Sequence, residues 1–175
     1  MESQGVKSSI RLVSRAATLK ELSVFGALIS IRYLAWMVVK RLIQRKFPTV
    51  EQISTSQLAS WLASDLPPPL LIDARQPEEY AVSHLPGASH GPTLAAVQQS
   101  TIKPDAAIVV YCSVGYRSAR LAQQLQAAGY ANVMNLEGSI FEWHNRGQPL
   151  VVDGKPTQAV HPYNRTWGML LESSS

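Results

Sequence analysis

The 175-residue chain contains a single cysteine, Cys112. That scarcity excludes an internal disulfide framework, a paired-cysteine redox centre and any multi-cysteine zinc site, while bridges between molecules stay open. His90, His144 and His161 show no spacing with carboxylates that suggests a metal, so none is expected. There is no internal repeat, and no small-residue cleavage site follows the long apolar run. A reducing compartment such as the cytoplasm is the simpler setting for a lone thiol.

Charge is scarce in one sense and lopsided in another. Residues 1–47 hold nine Lys/Arg against two Glu, net +7, whereas residues 48–175 hold seven against ten Asp/Glu, net −3. The overall charge of +4 therefore belongs to the N-terminal segment. An acidic body without a basic stripe argues against nucleic acid as a partner. The sequence divides accordingly into a basic segment with a hydrophobic helix (1–47), a main domain (48–155) and a C-terminal tail (156–175).

Within the first segment, Leu22 to Val39 form an apolar run of 18 residues, about 27 Å at helical rise, which is short for a membrane span. Its nine Leu, Ile, Phe and Val contribute roughly −3 to −5 kcal/mol to insertion, and the central Arg32 costs about 2.5 to 3.5, so the sum is near zero. Flanking cations balance, and orientation is undetermined. Three further readings compete with a span. A helix could lie in the interface with Tyr33 and Trp36 at headgroup level, pack on its own domain or a partner, or belong to a transit peptide, given the acid-poor stretch Ser3 to Lys20. Membrane contact through residues 22–46 is the expectation.

From Thr49 onward short apolar runs alternate with helical stretches. Thr55 or Ser56 is placed to cap a helix through Trp61 and Leu62, and Pro67 to Pro69 break it. Leu70 to Ile72, Ala107 to Tyr111 and Val133 to Leu136 read as buried strands, and Ser118 to Ala128 as a helix stopped by Gly129. Strand–helix–strand spacing predicts an α/β fold with a central, mainly parallel sheet flanked by helices. Sites in such sheets form where loops leave the carboxyl ends of strands, and Cys112 lies on one of these loops.

The loop itself reads Cys112, Ser113, Val114, Gly115, Tyr116, Arg117, and Ser118 is expected to cap the helix after it. Unpartnered N–H groups of that turn and the helix dipole favour an anion, so the Cys112 thiol is placed to ionise. Gly115 gives the turn its freedom and Arg117 adds a full positive charge.

Three stretches, Asp73 to Ala88 (DARQPEEYAVSHLPGA), Val109 to Tyr130 and Asn135 to Trp143, together resemble the rhodanese-like family of sulfurtransferases, over residues 50–152 or so. The resemblance implies a three-layer fold and sulfane-sulfur transfer from a donor such as thiosulfate through a persulfide on Cys112. Acceptors would be cyanide, a thiol or a protein; no cofactor is implied. The resemblance places Ser113 to Arg117 as the cradle, with Arg117 binding or orienting an anionic donor. It places Asp73 and Arg75 on the active-site side. Arg75 is expected in the pocket, or in an internal ion pair or loop clamp with Glu78 or Glu79 as partners, Asp73 as a loop organiser, and His84 in a structural role.

Related phosphatases hold phosphate in a loop one residue longer. Here Arg117 stands five positions after Cys112, which suits the smaller sulfur atom. Thiosulfate-specialised relatives often carry a second cation in the loop, and this one has only Arg117. An interaction module of the same fold at a membrane, with little turnover, is the alternative function. Phe141 and Trp143 read as core contacts, and the tail His161 to Glu172 as aromatic packing without recognisable chemistry.

Overall fold

The computed structural model describes the backbone of residues 19–172 and the side chains of residues 31–172. Its elements are α1 (Leu19–Lys46), β1 (Glu51–Ile53), α2 (Thr55–Leu62), β2 (Leu70–Asp73), α3 (Pro77–Val82), β3 (Ser89–His90) and α4 (Leu94–Gln98). There follow β4 (Ala107–Tyr111), α5 (Tyr116–Ala127), β5 (Asn132–Leu136), α6 (Ser139–Asn145), β6 (Leu150–Val152), β7 (Lys155–Thr157) and α7 (Arg165–Gly168). Five strands make a sheet in the order β1-β5-β4-β2-β3, and every pairing in it is parallel. The antiparallel hairpin β6-β7 stands apart from that sheet.

Strand β4 shows why the sheet needs helices on both faces. It is central and runs AIVVY, with Ile108, Val109, Val110 and Tyr111 all fully buried. Successive side chains of a strand point to opposite faces. Ile108 and Val110 pack with Ala119, Ala122 and Leu125 of α5, whereas Val109 and Tyr111 pack with Ile140, Phe141 and Trp143 of α6 and with Leu58 of α2. Each fully buried aliphatic side chain contributes about 1.5–3 kcal/mol, so β4 anchors two cores at once. Its carboxyl end, and the loop beginning at Cys112, are held between them.

Local boundaries differ from the sequence reading where a side chain decides them. Helix α2 is capped by Ser54, not by Thr55 or Ser56: the Ser54 hydroxyl accepts from the Gln57 N–H, and the Gln57 side chain accepts from the Ser54 N–H. This reciprocal pair satisfies two donors, which neither later residue could do. Helix α5 begins at Tyr116, two residues before the expected start. Strands β1 and β3, three and two residues long, are too short for the alternation to register.

Helix α1 joins the domain at its C-terminal end. Ile43 and Phe47 are buried in the core on the α5 face of the sheet. The Lys40 ammonium lies 2.7 Å from Glu142 and 3.3 Å from Glu137, and the Arg32 guanidinium 2.8 Å from Glu172. Arg32 thus has an ion-pair partner within the chain. Among the described residues no helix is long and apolar enough to cross a membrane. Ile31, Tyr33, Leu34, Met37, Val38 and Leu42 are exposed on α1. The side chains of residues 22–30 and nearly all of the transit-peptide stretch Ser3 to Lys20 lie outside the described residues.

Candidate active site

Cys112 is the first residue after β4 and is almost fully buried, with 1% exposure. The chain turns over it within three residues. The turn requires Gly115, whose φ of +113° lies in a region that side-chain-bearing residues rarely adopt. It returns the Gly115 N–H to within 3.2 Å of the Cys112 Sγ, to which it donates. The Ser118 hydroxyl lies 3.4 Å from the same sulfur and donates to it. Ser118 was expected to cap α5, but the N-cap is Gly115 and carries no side-chain bond. One turn into the helix, the Ser118 side chain faces the thiol instead.

The outer side of the loop is tied to the start of α6. The Cys112 N–H donates to the Ser139 hydroxyl, and the Ile140 and Phe141 N–H groups donate to the Cys112 and Ser113 carbonyls. With the Cys112 and Ser113 carbonyls engaged by α6, the Gly115 N–H turns back to the sulfur. Ser139 has φ +51°, uncommon for a residue other than glycine, and is fully buried. No role was foreseen for it, although it follows Gly138 in one of the quoted motifs.

These contacts set the charge of the site. Burial pushes the Cys112 thiol up, but the Ser118 hydroxyl, the Arg117 charge and the N–H groups of Ser118 and Gly115 outweigh it and hold the thiol below its usual value. The sulfur sits where a thiolate is favoured.

Arg117 does not stand free for a ligand. Its Nη1 donates to Glu79 Oε2 at 2.6 Å and its Nη2 to Glu79 Oε1 at 2.8 Å, a two-pronged pair, and Nη2 also donates to the Ser113 hydroxyl. Ser113 in turn donates to Glu79 Oε1 at 2.9 Å. Glu79 is buried; burial would raise its carboxyl, yet the Arg117 bonds and charge, the Gln76 N–H and the Ser113 hydroxyl hold it at about 2. Burial would lower Arg117, but Glu79 and the Cys112 charge raise it above its ordinary value. Glu79 had been named only as a partner for Arg75. Its position two residues into α3 aims it at the loop 38 residues later.

Arg75 has a different partner. Its guanidinium pairs with Asp73 at 2.6 Å, both side chains wholly buried, and donates to the Ser83 carbonyl. Asp73 also accepts from the Arg75 N–H, so it organises the β2–α3 loop. Burial would lower Arg75, but the Asp73 bond and charge hold it above its ordinary value. Neither residue lines the cavity at Cys112. His84 stacks on Tyr80 with ring centroids 4.0 Å apart, and its backbone pairs with Val151.

The cavity over Cys112 has a volume of about 160 Å³. Val114 and Tyr116 wall it from the loop, and Tyr163 and Trp167 from the tail. Tyr116 also meets the Phe47 ring edge-on at 5.3 Å, which joins the loop to the end of α1. The Tyr163 ring covers the Arg117 guanidinium, its centroid 4.8 Å from the guanidinium carbon. Sequence reading gave the tail no part in the site. Its aromatic content was the only signal, and that does not tell where a segment lands.

The family model of the rhodanese-like domain matches residues 54–146, just over half of the chain. A sulfurtransferase of Allochromatium vinosum is 37% identical over 103 residues, covering 58% of this chain and 95% of that protein. A probable adenylyltransferase/sulfurtransferase of Mycobacterium tuberculosis is 32% identical over 108 residues, 57% of this chain but 26% of its own length. Among solved structures, a rhodanese-like domain protein from Staphylococcus aureus superposes with a TM-score of 0.52 at 26% identity, covering 59% of this chain and 99% of that one. On the match to residues 54–146, with the parallel sheet and the cysteine loop at its carboxyl end, the chain belongs to the rhodanese-like domain family.

Proposed function

We propose that the protein is a sulfurtransferase that carries sulfane sulfur as a persulfide on Cys112. The observation that carries this reading is the buried Cys112 sulfur held by the Gly115 N–H and the Ser118 hydroxyl, on a loop of six residues ending at Arg117. The name of the Allochromatium vinosum relative supports it.

In the first half-reaction the Cys112 thiolate attacks the outer sulfur of a donor. With thiosulfate, the donor's S–S bond breaks, its electron pair leaves with sulfite, and Cys112–S–S⁻ remains. In the second half-reaction a nucleophile takes the outer sulfur: cyanide leaves as thiocyanate, or a thiolate leaves as a new persulfide, and the Cys112 thiolate is restored. Neither half needs a metal or an external redox partner. The N–H groups of Gly115 and Ser118, held at the Cys112 sulfur, stabilise negative charge on it in both halves. Arg117, fixed by Glu79, contributes charge to the loop, and its grip on Glu79 and Ser113 holds the cradle's shape. Arg75 and Asp73 act at one remove by fixing the loop from which α3 and Glu79 depart.

Turnover tests the reading. The full chain, supplied with cyanide and with either thiosulfate or an alkyl persulfide, is expected to form thiocyanate faster than the protein-free mixture does, and Cys112→Ser to add nothing to that uncatalysed rate. Equal rates for both proteins with both donors would overturn it.

A further inference from the structure

The tail that crosses the cysteine loop lies outside the residues matched by the family model, 54–146, and it is firmly placed. Tyr163 adopts φ +61°, costly for a bulky residue, and its N–H donates to the His161 ring at 3.1 Å. Asn164 caps α7 by accepting from the Trp167 N–H. Beyond α7, Leu170 is buried in the core on the α6 face of the sheet. The Asn145 side chain pins the segment on both sides, donating to the Leu170 carbonyl at 2.7 Å and accepting from the Glu172 N–H at 2.8 Å. Two aromatic rings are thus held at the mouth of a buried nucleophile.

Their effect on charge is specific. Among the described residues Arg117 is the one cationic side chain that lines the cavity. Its Nη1 and Nη2 engage Glu79 and Ser113, and the Tyr163 ring lies over the guanidinium. Carboxylate and guanidinium cancel, so an entering dianion would lose its hydration against a wall with no unmatched positive charge. An apolar carrier would instead meet Val114, Tyr116, Tyr163 and Trp167.

We propose that Tyr163 and Trp167 are specificity-determining residues which select sulfane sulfur borne on an uncharged, apolar thiol over a small oxyanionic donor. This rests on the persulfide reading of Cys112 and names its donor class. In the step itself the Cys112 thiolate attacks the outer sulfur of R–S–SH. The donor's S–S bond breaks, its electron pair leaves on R–S⁻, and Cys112–S–SH forms with no change in total charge.

The test compares sulfur loading of the full chain from benzyl persulfide and from thiosulfate, as second-order rate constants read by intact mass. The wild type is expected to favour benzyl persulfide. Tyr163→Ala is expected to shift the ratio about tenfold toward thiosulfate, the size of effect that one pocket group has on substrate choice. Trp167→Ala should move it the same way, and Tyr163→Phe, which keeps the ring, should leave it at the wild-type value. A purely structural role would slow both donors alike. A ratio unchanged in both alanine variants, with the wild type loading from either donor, overturns the selectivity proposal alone. No sulfur gained from either donor by the wild type overturns the persulfide reading and this proposal with it.

Discussion

Two acid–arginine pairs sit within one loop and helix of each other, and they do different work. Asp73 and Arg75 are two residues apart, wholly buried, and bonded to each other and to the Ser83 carbonyl. Glu79 and Arg117 are 38 residues apart; the carboxylate is buried, the guanidinium partly exposed, and the pair reaches Ser113 of the cysteine loop. The first pair is local and shapes a turn. The second couples α3 to the loop that presents the sulfur. The contrast shows that burial alone does not mark a functional charge; what the pair is bonded to does.

Breaking the first pair should have the largest effect on stability. Arg75→Ala leaves a buried carboxylate without its partner, at a cost of about 3–5 kcal/mol. Urea denaturation would measure it, and the fraction that remains folded should lose less of its loading rate than Glu79→Gln does, because Arg75 reaches the cysteine loop only through α3.

Breaking the second pair should cost less stability and more chemistry. Glu79→Gln is expected to lose about 1–3 kcal/mol at pH 7 and to slow sulfur loading roughly tenfold or more, because Arg117 and Ser113 lose their anchor. Its pH dependence is distinctive. Glu79 titrates at about 2 in the fold, below its ordinary 4.5, so the stabilisation it gives is complete above about pH 5 and fades as the pH falls toward 2. Denaturation midpoints of wild type and Glu79→Gln should therefore converge in acid. Curves that stay parallel from pH 7 to pH 3 would show that the pair does not hold the carboxylate as described.

The smallest change leaves both pairs intact and removes only the hydroxyl at the sulfur. Ser118→Ala should raise the Cys112 thiol, because the hydroxyl donates to its charged form. The pH profile of alkylation by a small reagent reads this directly. An unshifted profile would remove Ser118 from the site.

Much of this was legible in the sequence, for physical reasons that differ by element. AIVVY is a central parallel strand because nothing but burial on both faces suits five such residues, and Gly115 marks the turn that only glycine makes cheaply. Both signals are local. The partner of Glu79 was not legible, because α3 offers two carboxylates, Glu78 and Glu79, to two arginines and only the tertiary course of the chain decides between them. The same holds for Tyr163 and Trp167, whose place depends on Asn145 gripping a segment 25 residues later. Ser118 misled for a simpler reason: a serine at a helix start is the usual cap, and here its hydroxyl turns to the sulfur.

The central claim is that Cys112 carries the sulfur, and intact mass tests it most directly. After exposure to benzyl persulfide or thiosulfate and removal of excess donor, the wild-type chain should be heavier by one sulfur atom. Cyanide should strip that atom, fragmentation should place it on the peptide containing Cys112, and Cys112→Ser should gain nothing. An unchanged wild-type mass with both donors, or the same gain in Cys112→Ser, would contradict the account.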